Sequence, residues 1–379
     1  MPFSSDGSSS RKTGLCREII SLLVIGHWRK RMPRIIFRDF DEFADSIGGI
    51  AGRFVPTARS EKDWWVEAVP AGRVSLQQVQ IGGATTFVGD GASDCITVGM
   101  PMIQPARVRI DGNLLDSSSF VFLKERQPFT FCTPAATRWA GVTIPLDHAL
   151  LQPELPQLLN SASIRDRGDS QLATNSAHLG RMRMLVSRMC AEENGVNIRD
   201  ATAARAAEEE IAVMVARMLE ESSRAAPVQC GRPKVARGQV ISRVLALMDA
   251  RAGQSLLVDD LCRAADVSER TLRSVFHEYF GVGPIQLLRL RQLREVRLAL
   301  LAADSAHDTV ASVIARFGIW DFSLFARKYK ALYGESPAFT LRKAPIRRQR
   351  NSGETWLRYA ARVFSSYATV SRGDVAAST

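Results

Sequence analysis

Residues 255–281 read SLLVDDLCRAADVSERTLRSVFHEYFG, and this stretch decides what the C-terminal third of the chain is. Leu257, Val258, Leu261 and Ala265 face one side of a short helix, Asp266 occupies a turn, and Ser268 is placed to cap a second helix beginning at Glu269. In that second helix Leu272, Val275, Phe276 and Tyr279 recur at three and four residues, the spacing of a buried stripe. Arg270, Arg273, Ser274 and His277 recur on the opposite side. A helix with an apolar back and a front of Arg, Ser and His suits the major groove, where Arg grips guanine through two hydrogen bonds. Taken alone, the stretch fits a helical hairpin with a solvated face equally well.

The grammar recurs. Residues 309–334 read TVASVIARFGIWDFSLFARKYKALYG: a short helix, a turn at Gly318, and a second helix with Phe325 and Tyr329 four apart. Both units close on an aromatic residue and a glycine, Phe280-Gly281 and Tyr333-Gly334, with Pro284 and Pro337 shortly after. A helix from Pro284 to Leu301 joins them, with proline suited to its first turn. At about 1.5 Å per residue it is roughly 27 Å long, enough to place two readers on successive major-groove faces. In the second unit Trp320, Asp321, Phe322, Ser323 and Arg327 are the expected DNA-contacting set. Arg327 would position phosphate, and Trp320 or Phe322 would meet thymine methyls unless they are core.

Over about 239–343 these motifs resemble the C-terminal DNA-binding domain of the AraC/XylS family of bacterial transcription regulators. The matching residues are Ser268 to Phe276, the Gly281-Val-Gly-Pro284 turn, the Arg291 to Leu301 helix, Gly318 to Phe325 with Tyr329, and Tyr333-Gly-Glu-Ser-Pro337 with Thr340-Leu-Arg342. Ile319, Ile314 and Cys262 depart from the family's usual Phe, Ala and Ala, mostly at core positions. The resemblance implies a transcription regulator, an activator or a repressor, with double-stranded DNA as partner and RNA polymerase as a candidate one; the scattered cysteines and the short apolar runs read as cytoplasmic. It also implies a cupin-like N-terminal sensor for a small effector, followed by dimerising helices.

The remaining chain is compatible with that layout. Residues 35–175 read as β-rich, with alternating or apolar runs at Arg73–Ile81, Arg107–Ile110, Phe120–Leu123 and Gly141–Leu146, and Asp111-Gly112 as a hairpin signal. The expected fold class is therefore α+β and multidomain. A β-rich, cupin-like barrel with appended helices precedes an all-α domain of two helix-turn-helix units joined by a helix. Residues 176–222 change to a helical period and are expected to form the dimerisation segment of a homodimer; 223–238 read as a linker. Residues 1–34 and 344–379 read as basic tails. Trp64, Trp65, Phe87, Phe120, Phe122, Phe131 and Trp139 are the candidates for lining an apolar effector pocket, while most of them serve as core.

Charge and cysteine content exclude other classes. The net charge of +11 divides into +5 over 1–34, −5 over 35–231, +7 over 232–343 and +4 over 344–379, so an acidic body carries a basic C-terminal third. Six scattered cysteines with no CxxC pair signal neither a disulfide framework nor zinc, and no apolar run is long enough for a bilayer, so no membrane partner is expected. Two alternatives compete: a cupin-type metalloenzyme fused to a DNA-binding module, and a sequence-neutral architectural DNA-binding protein. The five histidines form no HxH or HxxxH group, which disfavours the enzyme, and no metal or cofactor is expected. The acidic body disfavours the architectural protein, whose basic residues would be spread widely.

Overall fold

The computed structural model describes residues 32–37, 40–103, 107–149, 155–160, 170–174, 176–190, 201–224, 234–251 and 256–342. Of the tails expected at 1–34 and 344–379, residues 1–31 and 344–379 lie outside them, as does 225–233 of the expected linker; residues 32–34 instead open a strand, and both ends of the linker, 223–224 and 234–238, are helical.

The N-terminal half is built from β1 (Met32–Phe37), α1 (Phe40–Asp45), β2 (Ile50–Pro56), β3 (Trp64–Ala71), β4 (Val74–Ile81), β5 (Thr85–Gly91) and β6 (Cys95–Pro101). It continues with β7 (Arg109–Ile110), β8 (Asn113–Leu114), β9 (Ser119–Leu123), β10 (Pro128–Thr133), β11 (Thr137–Pro145), α2 (Leu146–Ala149), α3 (Leu155–Asn160) and β12 (Gln171–Ala173). Two antiparallel sheets result, one ordered β1-β3-β4-β11-β6-β9-β12 and the other β2-β5-β10-β7-β8. The expected barrel is thus a pair of sheets with separate ladders, a β-rich half without closure among the described residues. The Asp111-Gly112 turn forms as read, with φ of 50° and 80°, the positive values a two-residue hairpin needs. Its Asp111 carboxylate is buried and accepts from the Thr130 amide at 2.7 Å, which ties the turn to β10.

Register decides which aromatic residues meet. Between the sheets Trp64, Phe54, Phe87, Phe129, Phe131 and Trp139 share one core with Phe43. Ring centroids lie 4.6 Å apart for the tilted pair Phe54–Phe87 and 4.9 Å apart for the edge-to-face pair Phe43–Trp64. On β9, Val121 and Leu123 belong to that core, whereas Phe120 and Phe122 point out of the other face. There they pack with Val69, Leu76 and Val142 under two helices, α4 (Ser176–Cys190) and α5 (Ala201–Arg224). These helices fit the expected amphipathic pair: Leu179, Met182, Val186, Ile211, Val215 and Leu219 all bury toward the sheet.

The C-terminal half is helical: α6 (Lys234–Ala250), α7 (Val258–Ala265), α8 (Glu269–Phe280), α9 (Pro284–Ala302), α10 (Val310–Ala315), α11 (Phe322–Tyr333) and α12 (Pro337–Arg342). Leu261, Leu272, Phe276, Leu287, Val296, Val313 and Tyr329 form its core. Ile314 is buried in that core, and Ile319 and Cys262 pack against it, so the three family departures are packing positions.

Candidate nucleic-acid interface

Each reading unit is set by its caps. In the first, the Leu257 amide donates to the Asp260 carboxylate at 3.1 Å at the start of α7, and Asp266 ends it in the left-handed region at φ 55°. Ser268 then accepts from the Thr271 amide at 3.3 Å and starts α8, as the sequence predicts. Gly281 ends that helix at φ 69°, its amide donating to the His277 carbonyl at 3.1 Å. In the second unit Thr309 and Ser312 cap α10 reciprocally, at 3.0 and 3.1 Å. Gly318 turns the chain at φ 68°, and Asp321 accepts from the Leu324 amide at 2.8 Å to start α11.

The buried stripe of α8 consists of Leu272, Val275, Phe276, Tyr279 and Phe280. Arg270, Arg273, Ser274 and His277 are all exposed on the other side, at positions i, i+3, i+4 and i+7. The structure therefore brings the four expected base-reading residues of the first unit onto one front. Arg273 is not idle there, because its guanidinium pairs with Glu269 one turn back. Both partners are largely exposed, so the pair is weak and yields to a better acceptor.

On α11 the buried residues are Phe325, Tyr329 and Leu332. Trp320 is 77% exposed and Phe322 39%, so neither is core. Ser323 and Arg327 are exposed as well, and Lys330 continues their stripe at i and i+7 from Ser323. Lys328 and Lys330, both exposed, went unselected in the sequence although their spacing from Arg327 was there to read. Asp321 is the N-cap rather than a free side chain, a role that its position three residues before Leu324 signals.

The connecting helix is tied to the second unit and to α6 from within. Arg297 of α9 donates to Glu335 at 2.6 Å and to the Tyr329 hydroxyl at 3.2 Å, and lies over the Tyr333 ring at 4.6 Å. Tyr329 in turn meets the Thr340 hydroxyl at 2.8 Å. Burial alone would lower the Arg297 pKa, but Tyr329 and Glu335 reverse this and raise it. Arg291 donates to the Met248 carbonyl of α6 at 2.9 Å and to Glu295 at 2.7 Å.

The proposed pocket residues divide. Trp64, Phe87, Phe131 and Trp139 face the core between the sheets, where the buried Trp139 indole nitrogen has no hydrogen-bond partner. Trp65 does not: it lies on the outer face with the Arg34 guanidinium 4.1 Å and the Arg138 guanidinium 5.2 Å from its ring. Phe120 and Phe122 are likewise corrected, since strict alternation along β9 sends them under the helices. Among the described residues no three His, Cys, Asp or Glu side chains cluster to hold a metal. No described helix is long and apolar enough to cross a membrane.

Residues 261–343 match the family model of a helix-turn-helix domain. The chain is similar to a probable thc operon regulatory protein of Rhodococcus erythropolis, 32% identical over 115 residues, or 30% of this chain and 35% of that protein. It is also similar to XylDLEGF operon transcriptional activator 2 of Pseudomonas putida, 28% identical over 99 residues, or 26% of this chain and 63% of that one. The chain thus spans about a third to under two thirds of the length of these relatives. Among solved structures, the AraC-like transcriptional activator CuxR aligns over 76% of this chain and 100% of its own, at 13% identity and a TM-score of 0.38.

Proposed function

We propose that this chain, which carries an AraC-type helix-turn-helix domain over residues 261–343, is a sequence-specific DNA-binding transcription regulator that answers to a small-molecule effector. The observation that carries the reading is the duplicated unit: two capped helices, each with a buried apolar back and an exposed polar front, held by one helix of 19 residues, about 28 Å. Arg270, Arg273, Ser274 and His277 read bases; Arg327 and the neighbouring lysines bind phosphate, and Trp320 and Phe322 supply apolar contacts. The +7 charge of residues 232–343 gives the salt-dependent part of the affinity.

The β-rich half is the sensor in this reading, with its aromatic core around Trp139 as the place an apolar effector enters. A homodimer through α4 and α5 is supported by Met184 and Val213, which are 48% and 42% exposed on those helices. Selection from a pool of randomised duplexes tests the reading. Recovery of one preferred sequence that resists excess bulk DNA is the expected result; uniform retention of the pool refutes it in favour of an architectural protein.

A further inference from the structure

Among the described residues the β-rich half touches the reading domain at the ends of both reading helices and along the helix between them, away from the DNA-facing fronts. At the C-terminal end of α8, a Cβ built on Gly112 would lie 3.2 Å from the Tyr279 ring, and one built on Gly281 would lie 3.6 Å from the Cys132 sulfur. In the middle of α9, Arg294 donates from Nη1 to the Phe54 carbonyl of β2 at 2.5 Å. At the C-terminal end of α11, a Cβ built on Gly334 would lie 3.4 Å from two guanidinium nitrogens of Arg59. Val55 and Val88, on the outer face of the five-stranded sheet, belong to the reading domain's own hydrophobic cluster.

These contacts share a geometry. Two fall on the left-handed glycines that end the two reading helices, at φ 69° and 73°, and the third falls on the helix between them. The cation of Arg59 stands at a helix C-terminus, where the exposed carbonyls favour positive charge. Arg270, Arg273, Ser274, His277, Ser323 and Arg327 remain exposed while the contacts are made. An occluding lid would cover that side. Contacts at the far end of each reader instead remove relative twist between the two units, and freedom removed before binding is not lost on binding.

We infer that the β-rich half is a brace that fixes the pose of the two readers relative to each other, with Arg294 and Arg59 as its positioning residues. This rests on the proposed DNA reading. Its consequence is strictness in half-site spacing: a rigid pair of readers tolerates an inserted base pair poorly, while a loosened pair follows it.

The test uses the full chain and the duplex recovered by selection. Gly281→Cys places a second thiol opposite Cys132 with Cβ atoms 3.9 Å apart, inside the range a disulfide spans. Oxidation by diamide, which takes up the two thiol hydrogens, is expected to give an intrachain bond. The bonded protein is expected to bind within about threefold of its reduced form, and a loss beyond about tenfold would mean that the docked state is closed to DNA. Absence of the bond in a variant that keeps the wild-type melt, oxidised at about pH 9 so that the buried Cys132 thiol begins to ionise, would mean that the halves do not dock this way. A one-base-pair insertion between the contact clusters is expected to weaken the wild-type protein about 30-fold, but Arg59→Ala/Arg294→Ala less than about threefold. Arg294→Lys, which keeps a donor, and the disulfide introduced into the double variant are both expected to restore strictness. Equal strictness in the double variant and wild type overturns the brace. If wild type selects no duplex, the DNA reading fails instead, and the disulfide still reports the docking.

Discussion

At the scale of single residues, Arg270 and Arg273 stand on the same front in different circumstances, one turn apart. In the proposed reading Arg273 exchanges Glu269 for a base, and the pair it leaves is exposed and worth only about 0.2 to 1 kcal/mol. Arg270→Ala and Arg273→Ala are each expected to cost about 1 to 3 kcal/mol of discrimination at one base pair, with the thermal midpoint unchanged. Binding titrations on single-base variants of the selected duplex check this, and unaltered base preference in either variant would mean that the front is misassigned. Arg297 acts inside the domain. Its guanidinium and the Glu335 carboxylate are 13% and 15% exposed, so removing one partner strands the other in a poorly solvated place. Arg297→Met is therefore expected to lower stability by about 3 kcal/mol, read as a shifted urea midpoint, far more than loss of a surface pair. Burial also pushes the Cys132 thiol up to about 11. It is protonated at neutral pH, and alkylation followed by mass spectrometry is expected to label it only after unfolding.

At the scale of elements, the reading units were legible because each is a local pattern. Ser268, Gly281, Gly318 and Gly334 punctuate helices whose buried stripes recur every three or four residues, and the structure keeps those bounds. Ser268→Ala is expected to cost about 1 kcal/mol through the lost bond to the Thr271 amide. Gly318→Ala isolates backbone strain, because a Cβ there meets nothing within 4 Å; the expected cost is about 1 kcal/mol, and no loss in a chemical melt would argue against the left-handed turn. The β-rich half was legible only in outline. All five residues of β9 are buried and four of them, Phe120 to Leu123, run apolar without a break, so the alternation that tells inner from outer faces is absent there. Phe120 and Phe122 could therefore not be separated from Phe131 without the register. The Arg294 bond to Phe54 joins residues 240 apart and leaves no local trace at all. Asp321 is different, because its capping position was readable and was passed over for a surface role.

At the scale of the molecule, two readers on one 19-residue helix call for two sets of protected bases about one helical turn, roughly 10 base pairs, apart. Footprinting across systematic base changes is expected to find the stricter set under α8, since α11 presents Arg327, Lys328 and Lys330 beside two aromatic residues rather than two base-gripping arginines. A single protected cluster, or the stricter one under α11, would overturn that division of labour. Affinity is also expected to fall steeply between 50 and 200 mM salt, in proportion to the phosphates neutralised. The exposure of Trp320 carries an optical consequence. Trp64, Trp65 and Trp139 are enclosed, while the Trp320 indole stands in solvent at the entrance to the second reader. Its emission is therefore red-shifted and open to acrylamide. Subtracting the spectrum of Trp320→Phe isolates that component, and its shielding when duplex is added would time the arrival of the second unit on DNA without any attached dye.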